Sequence, residues 1–284
     1  MLSSARLPVR RRRRFALLAQ LVSVVLAVGA AVTVIAEGPG GRPGADQLAA
    51  DEIDTPPPLV AAPLPPSAGP SPSDLVPSSP PPVLRVPGAV PSAGTGKFDH
   101  DARSGPVLGR AGELRRYRVA VESGSNEDAA GFALAVQTAL AGPGSWVDSG
   151  RLRLQQVPGD APRDFTVYLA TARTAGRMCA RGGVDIRVGG RPYTSCRAPG
   201  QVIINLDRWR LSVPHYVSAG VPLAVYRTYV VNHEVGHQLG HRHERCPGAG
   251  RPAPVMMQQT LFLNGCRVNP WPYVDGRRYA GPAL

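Results

Sequence analysis

An uncharged apolar run of 22 residues, preceded by five consecutive arginines, limits this chain to few architectures. Residues 15–36 are rich in Leu, Val and Ala, and residues 10–14 are all Arg. A helix of that length spans about 33 Å, which matches the hydrocarbon core of a bilayer. Because positive charges favour the cytoplasmic side, residues 1–14 should form a basic cytoplasmic tail and the rest of the chain should lie outside.

Two interpretations of the apolar run are open. Residues 15–36 are either an uncleaved transmembrane signal-anchor helix or a signal peptide that is removed on secretion. The triplets that end at Ala30 and Ala36 resemble small-residue cleavage sites. The run is nevertheless longer than the roughly 7–15 apolar residues of a usual signal peptide. We therefore expect a single-pass anchor in the cell membrane, with secretion as the alternative.

Residues 37–96 have no hydrophobic periodicity and contain repeated proline runs among Ala, Ser and Gly. A segment with so little apolar surface to bury cannot offset the entropy that it loses on ordering. We predict that this segment is a disordered stalk. Residues 97–284 then form one domain, which is long enough to bury a substantial core.

The domain is basic, with 24 basic and 14 acidic side chains. Lys97 is the only lysine among the 32 basic residues of the chain. We interpret the preference for Arg as a compositional bias rather than as phosphate recognition, and nucleic acid is not an expected partner of an exported domain. An apolar fraction of 43% excludes a wholly disordered chain.

Hydrophobic patterns predict a mixed α+β domain with two main helices. Four segments alternate as strands do, namely residues 116–122, 151–157, 165–171 and 201–206. Helical spacing is found in residues 126–141, which Asn126 can cap, and in residues 222–240. After Gly240 the chain is rich in Pro and Gly, so we expect a small irregular C-terminal part.

All four cysteines lie in the predicted domain. An even number of cysteines in an oxidising compartment favours two disulfides. Three pairings are possible. We expect the local one, in which Cys179 pairs with Cys196 and Cys246 pairs with Cys266.

The stretch 233–243, HEVGHQLGHRH, holds four of the six histidines of the chain. His233 and His237 are four residues apart, so on a helix their imidazoles share one face and can bind one cation. Glu234 is adjacent and can approach the reacting water without being a metal ligand. A catalytic zinc site needs a third protein ligand and one open position.

Three sources of that third ligand are open. His241 would lie on nearly the same face if the helix continued beyond Gly240. His243 could reach the metal if Gly240 adopted a left-handed conformation and ended the helix. A carboxylate is the third source, and past the signature only Glu244 and Asp275 are acidic.

The stretch 233–243 resembles, at every fixed position, the HExxHxxGxxH signature of the metzincin clan of zinc peptidases. Residues 254–257, PVMM, are similar to the methionine turn that lies beneath the zinc in that clan. The basic leader, Pro-rich stalk, paired cysteines and the sequence NPWP at 269–272 resemble the actinobacterial DUF3152 family of exported metallopeptidases.

The resemblance implies a metzincin-like mixed sheet, an active-site helix and one Zn2+ ion. It also implies that the strand at 201–206 is the edge strand of the sheet and that substrates lie extended along it. Astacin-like members have a tyrosine where this chain has Gln258, so a zinc-ligating tyrosine is not expected. The implied roles are zinc ligand for His233, His237 and His243, general base for Glu234, turn residue for Gly240 and methionine-turn residue for Met256.

These features predict a membrane-anchored, exported zinc endopeptidase that cleaves a peptide or protein substrate, with the cell envelope as one source. One alternative is an amidase that uses the same site to cut peptide cross-links of the cell wall. The other is a non-catalytic exported module with a structural zinc, for which Cys246 would be a candidate ligand.

Overall fold

The computed structural model of the protein describes residues 80–284. The predicted tail, the predicted anchor and the predicted stalk as far as residue 79 lie outside the described residues and stay predictions. Within the described part of the chain, we find no helix whose length and apolar character would let it cross a bilayer.

Alternating apolar residues build the strands of a mixed α+β domain. In chain order the strands are β1 Phe98–His100, β2 Val107–Leu108, β3 Glu113–Glu122, β4 Leu152–Gln156, β5 Phe165–Ala170, β6 Arg187–Val188, β7 Arg191–Pro192, β8 Cys196–Ala198, β9 Gln201–Asn205, β10 Tyr273–Val274 and β11 Arg277–Arg278. Seven of them form one sheet in the order β2-β4-β3-β5-β9-β8, with β1 paired to β3. The hairpins β6–β7 and β10–β11 are separate.

The centre of the sheet is parallel and its margins are antiparallel. β4, β3, β5 and β9 are parallel neighbours, whereas β1, β2 and β8 pair antiparallel. Parallel strands need covered faces, because the crossover connections between them pack on the sheet. The helices that connect and flank the strands are α1 Ala129–Ala141, α2 Ala172–Arg181, α3 Leu206–Leu211, α4 Pro214–Ser218 and α5 Leu223–Gln238.

Helices cover the sheet on both faces, which gives three layers. Val167, Leu169, Val202 and Ile204 belong to the large core cluster that they share with α1 and α5. Ile203, whose side chain points to the opposite face, belongs to the smaller cluster that contains α2. The period of two along β5 and β9 therefore separates the two halves of the core.

The N-terminus of α1 differs from the prediction. Asp128, rather than Asn126, caps the helix, and its side chain accepts a hydrogen bond from the Gly131 amide at 2.8 Å. Asn126 has φ of 61° and lies in the preceding turn. An Asn tolerates that left-handed conformation well, which explains the shorter helix.

The edge of the sheet also differs from the prediction. The strand expected at 201–206 is β9, which has a neighbour on each side, and β8 at Cys196–Ala198 is the edge strand. β8 and β9 form a hairpin around Gly200, whose φ of 70° suits glycine. Three residues are too few for β8 to show an alternating pattern in the sequence.

Residues 83–96 lie against the domain, so its contacts begin before position 97, where the stalk was predicted to end. The Leu223 amide donates to the Val83 carbonyl at 2.8 Å, and the Val86 amide donates to the Arg210 carbonyl at 2.8 Å. These hydrogen bonds satisfy backbone groups of the proline-rich segment, which has no periodic pattern of its own.

Both expected disulfides are confirmed. Cys179 of α2 is bonded to Cys196 of β8, which joins that helix to the edge strand. Cys246 is bonded to Cys266 across the irregular C-terminal part that the Pro and Gly content predicted. Each bond closes a short loop, of 17 and 20 residues in separation.

Candidate metal centre

The end of α5 brings the histidines of the signature together. The helix ends at Gln238, and Gly240 has φ of 95°. The Gly240 amide donates to the His237 carbonyl at 3.1 Å, and the His241 amide donates to the Gly236 carbonyl at 2.9 Å. These two bonds form a Schellman motif, which turns the chain away from the helix axis as the glycine predicted.

Three imidazoles meet below this turn. A donor nitrogen from each of His233, His237 and His243 lies within 4.8 Å of the other two, so the three residues could hold one metal ion. The ring centroids of His237 lie 4.7 Å from those of both His233 and His243. The Nε2 atoms of His237 and His243 are 3.1 Å apart.

The alternative third ligands are engaged in other contacts in the structure. The ring of His241 stacks on Trp146, with centroids 4.3 Å apart, and is not part of the group of three. A carboxylate oxygen of Glu244 accepts a hydrogen bond from Arg278 at 2.7 Å. Cys246 is engaged in its disulfide and offers no thiolate.

Backbone carbonyls orient two of the three rings. The Nδ1 atom of His233 lies 2.8 Å from the Val255 carbonyl, and that of His237 lies 2.8 Å from the His241 carbonyl. A carbonyl only accepts hydrogen bonds, so Nδ1 carries the proton in both rings. Nε2 is then left with a free lone pair, as a metal ligand requires.

Burial keeps these imidazoles neutral. The pKa of His233 lies well below its usual value because of burial and, secondarily, because of His237. Burial, followed by the charge of His237, lowers the pKa of His243 to about 4. Burial also lowers the pKa of His237. Neutral imidazole is the form that binds metals.

Glu234 is a buried carboxyl group beside the histidines. Only 4% of the residue is exposed, and burial raises its pKa to about 8. Its side chain forms no hydrogen bond or ion pair with any residue between 80 and 284. Buried carboxyl groups are costly unless they are paired, so this one indicates a function in the cavity.

Met256 lies beneath the helix that carries the histidines. It is fully buried, and a Cβ atom added at Gly236 would lie 2.4 Å from its Sδ atom. The same atom would lie 2.6 Å from Trp146, so helix α5 can approach both side chains only because position 236 is glycine. Neither Gly236 nor Trp146 was predicted from the sequence to have a role in the site.

Tyr229 is a further site residue that the sequence analysis missed. It lies one helical turn before His233, lines the cavity and donates a hydrogen bond to the Met257 carbonyl at 3.0 Å. Its position four residues before a ligand was the available signal.

The histidines and Glu234 line an open cavity of about 470 Å³. The edge strand β8 contributes Cys196 and Arg197 to one side of it. Val184 and Leu261 also line the cavity and are 36% and 37% exposed. An edge strand and exposed apolar side chains beside a buried polar centre are suited to a bound peptide.

No curated protein and no solved structure matches the chain. A family model described as protein of unknown function, DUF3152, matches residues 85–274, which is more than half of the chain. The match includes the three grouped histidines, Glu234 and both disulfides. The chain therefore belongs to the DUF3152 family.

Proposed function

We propose that this protein is a zinc-dependent endopeptidase of the metzincin type, held outside the cytoplasm by the membrane anchor predicted at residues 15–36. The observation that carries the proposal is the convergence of three neutral imidazoles with an unpaired buried carboxyl group in one open cavity. A structural zinc site would have no use for that carboxyl group.

The donor set suits zinc. Imidazole nitrogen is a good ligand for zinc and a poor one for magnesium or calcium, which prefer oxygen. Nitrogens bound to one tetrahedral zinc lie about 3.4 Å apart. The 3.1 Å separation of the His237 and His243 Nε2 atoms is close to that value. Three protein ligands leave the fourth position open for chemistry.

When bound, zinc would supply a Lewis acid that lowers the pKa of water to about 7 and polarises the scissile carbonyl. Glu234 accepts the proton of the attacking water and then delivers it to the leaving amine nitrogen. Burial favours the protonated carboxyl group in the metal-free site, and the positive charge of a bound zinc would favour the carboxylate form that acts as the base. The free edge of β8 offers backbone groups to an extended substrate.

The disulfides support the proposed location. Both connect segments of the domain, and disulfides of this kind persist in oxidising compartments outside the cytoplasm. A membrane anchor and an extracytoplasmic domain are consistent with that chemistry.

The proposal is tested by metal analysis and a peptidase assay on the full-length protein and its Glu234→Gln variant. We expect about one zinc per chain in both proteins and cleavage of a denatured protein substrate by the unchanged protein alone. Loss of the general base should lower kcat by at least about 100-fold. The exposed Glu113→Gln variant is the matched control and should keep full activity.

The same assay separates the alternatives. Turnover of purified peptidoglycan without cleavage of proteins would replace the endopeptidase with a cell-wall amidase. Zinc without turnover of either substrate would indicate a structural site. A Glu234→Gln variant with unchanged kcat would remove the assignment of the general base.

A further inference from the structure

A second cavity, of about 950 Å³, adjoins the metal cavity. It lies between α2 and the hairpin β6–β7. Val184 and Asp185 line both cavities, so the two cavities adjoin along the segment that precedes β6, and together they are called the cleft. A peptide held at the histidines would pass Val184 and Asp185 to reach the second cavity.

The floor of the second cavity is apolar and closely packed. A Cβ atom at Gly176 of α2 would lie 2.9 Å from Pro192 of β7, so the helix and the hairpin are in direct contact there. Ile186 is buried between them. The Cys179–Cys196 disulfide fixes α2 to the edge strand, which holds the wall of the cavity in place.

The rim of the second cavity is basic. Arg173 and Arg177 are four residues apart on α2, and Arg191 of β7 also lines the cavity. All three side chains are exposed. Like charges four residues apart on a helix repel each other, which destabilises the helix unless an anion lies between them.

Carboxylates of the cavity do not neutralise this rim. Asp185 is bound to Arg187 through two hydrogen bonds, at 2.8 and 2.9 Å. Asp207 also lines the cavity, but in the described part of the chain it forms no ion pair with an arginine. Within residues 80–284, Arg173 and Arg191 form no ion pair with any carboxylate.

The metal cavity is also lined by an arginine. Arg197 of β8 lines the metal cavity, where its Nε atom donates to Gln238 at 3.1 Å. Each of the two adjoining cavities therefore has arginine in its lining. Guanidinium groups bind carboxylates in a bidentate manner.

We propose that this cleft selects peptide substrates with acidic side chains and that Arg173, Arg177 and Arg191 bind those side chains on one side of the scissile bond. The inference rests on the proposed peptidase function and adds the substrate class. The apolar floor receives the methylene groups of Glu, and the arginine rim binds its carboxylate.

The test measures binding and cleavage separately. The binding probes are two fluorescein-labelled peptides of equal length, one with four Glu residues and one with Gln at the same positions. Fluorescence anisotropy is recorded with full-length, zinc-loaded Glu234→Gln protein in detergent, so cleavage does not disturb the measurement. We expect the Glu peptide to bind about tenfold more tightly at low salt, with a smaller difference at high salt.

Charge-reversal variants locate the effect. In the Glu234→Gln protein, adding Arg173→Glu and Arg191→Glu together should abolish the preference for the Glu peptide. Arg110 is the matched control, because it is exposed and follows β2 at the opposite edge of the sheet. Adding Arg110→Glu should leave the preference intact. Equal binding of the two peptides, or an equal loss in the Arg110→Glu protein, would overturn the proposal.

The cleavage arm uses the protein with Glu234 intact and both peptides. Faster cleavage of the Glu peptide, by about tenfold in kcat/KM, supports acidic recognition by an active peptidase. Tight binding of the Glu peptide without cleavage of either peptide would contradict the peptidase function and leave acidic recognition standing. Failure of acidic recognition and failure of the peptidase function therefore give different results.

Discussion

His241 and His243 are two residues apart, yet only the ring of His243 joins the group with His233 and His237. His241 contributes through its backbone, because its carbonyl accepts the Nδ1 proton of His237. Its ring stacks on Trp146 outside the group. One histidine of the signature is thus a candidate ligand and another orients a ligand without using its side chain.

We expect His243→Ala to abolish tight zinc binding and His241→Ala to retain it. Loss of an outer-shell partner alone typically costs about 10–100-fold in metal affinity, and loss of a ligand should cost more. The His241→Ala variant keeps the backbone carbonyl that orients His237. Isothermal titration with zinc measures both affinities, and an equal loss in the two variants would contradict the assignment of His243.

Gly236 of helix α5 has no room for a larger side chain. Gly to Ala in an unobstructed helix stabilises a protein by about 0.4–1 kcal/mol. Here the added methyl group would meet Met256 and Trp146, so we expect Gly236→Ala to lower the free energy of unfolding by about 1–3 kcal/mol instead. A rise in the free energy of unfolding of Gly236→Ala would show that the added methyl group meets no obstruction.

Urea unfolding measures this effect, and a double-mutant cycle supplies the control. Met256→Ala alone should also destabilise the protein, because it leaves a cavity in the core. The two changes together should cost less than their sum, since the smaller side chain makes room for the new methyl group. Additive costs would show that the two residues do not interact.

Elements with regular hydrophobic patterns could be predicted from the sequence. Alternation predicted β3, β4, β5 and β9, and helical spacing predicted α1 and α5, each within a few residues of its observed bounds. Helix α2 was missed because its buried side chains follow helical spacing but are mostly small, namely Ala, Thr and Cys. Edge strand β8 was missed because three residues are too few to show a period.

Local residue spacing could likewise predict one part of the candidate site but not the rest. One stretch holds five of the site residues, and their spacing determines the geometry. These are His233, Glu234, His237, Gly240 and His243. Tyr229 precedes that stretch on the same helix. Trp146 and Val255 reach the site through the tertiary fold, from the turn after α1 and from the C-terminal part. Contacts of that kind leave no periodic signal in a single sequence.

The segment that precedes β1 is hydrogen-bonded to helices and to a strand of the domain. Residues 83–96 form hydrogen bonds with Leu223, Arg210, Arg173 and, through the Gly96 amide, with Glu122. Each buried hydrogen bond contributes about 1 kcal/mol net. A chain that begins at residue 97 loses four such bonds and should therefore be less stable than one that begins at residue 80, by about 4 kcal/mol.

Urea unfolding of the two truncated proteins checks this prediction, with the full-length protein in detergent as reference. The chain from residue 80 should match the reference in zinc content. Equal free energies of unfolding for the two truncated proteins would show that residues 83–96 contribute nothing to the domain, and the boundary would return to position 97.

At the scale of the whole molecule, the candidate metal site joins parts of the domain that the sheet does not. His233 and His237 belong to α5, whereas His243 lies beyond the helix, in a segment that the Glu244 amide ties to the Met256 carbonyl at 3.1 Å. A bound ion would add a link between the helix and the C-terminal part. The core of the sheet and both disulfides do not depend on that link.

Removal of zinc by a chelator should therefore lower the melting temperature without unfolding the domain at 25 °C. A ligand present at 1,000 times its Kd stabilises the folded state by about 4 kcal/mol. Calorimetry measures the shift, circular dichroism checks that secondary structure is retained, and hydrogen exchange should quicken most in residues 241–246. The His243→Ala variant should show no zinc-dependent shift. Identical melting temperatures for the zinc-loaded and zinc-free proteins would mean that the three imidazoles do not share an ion.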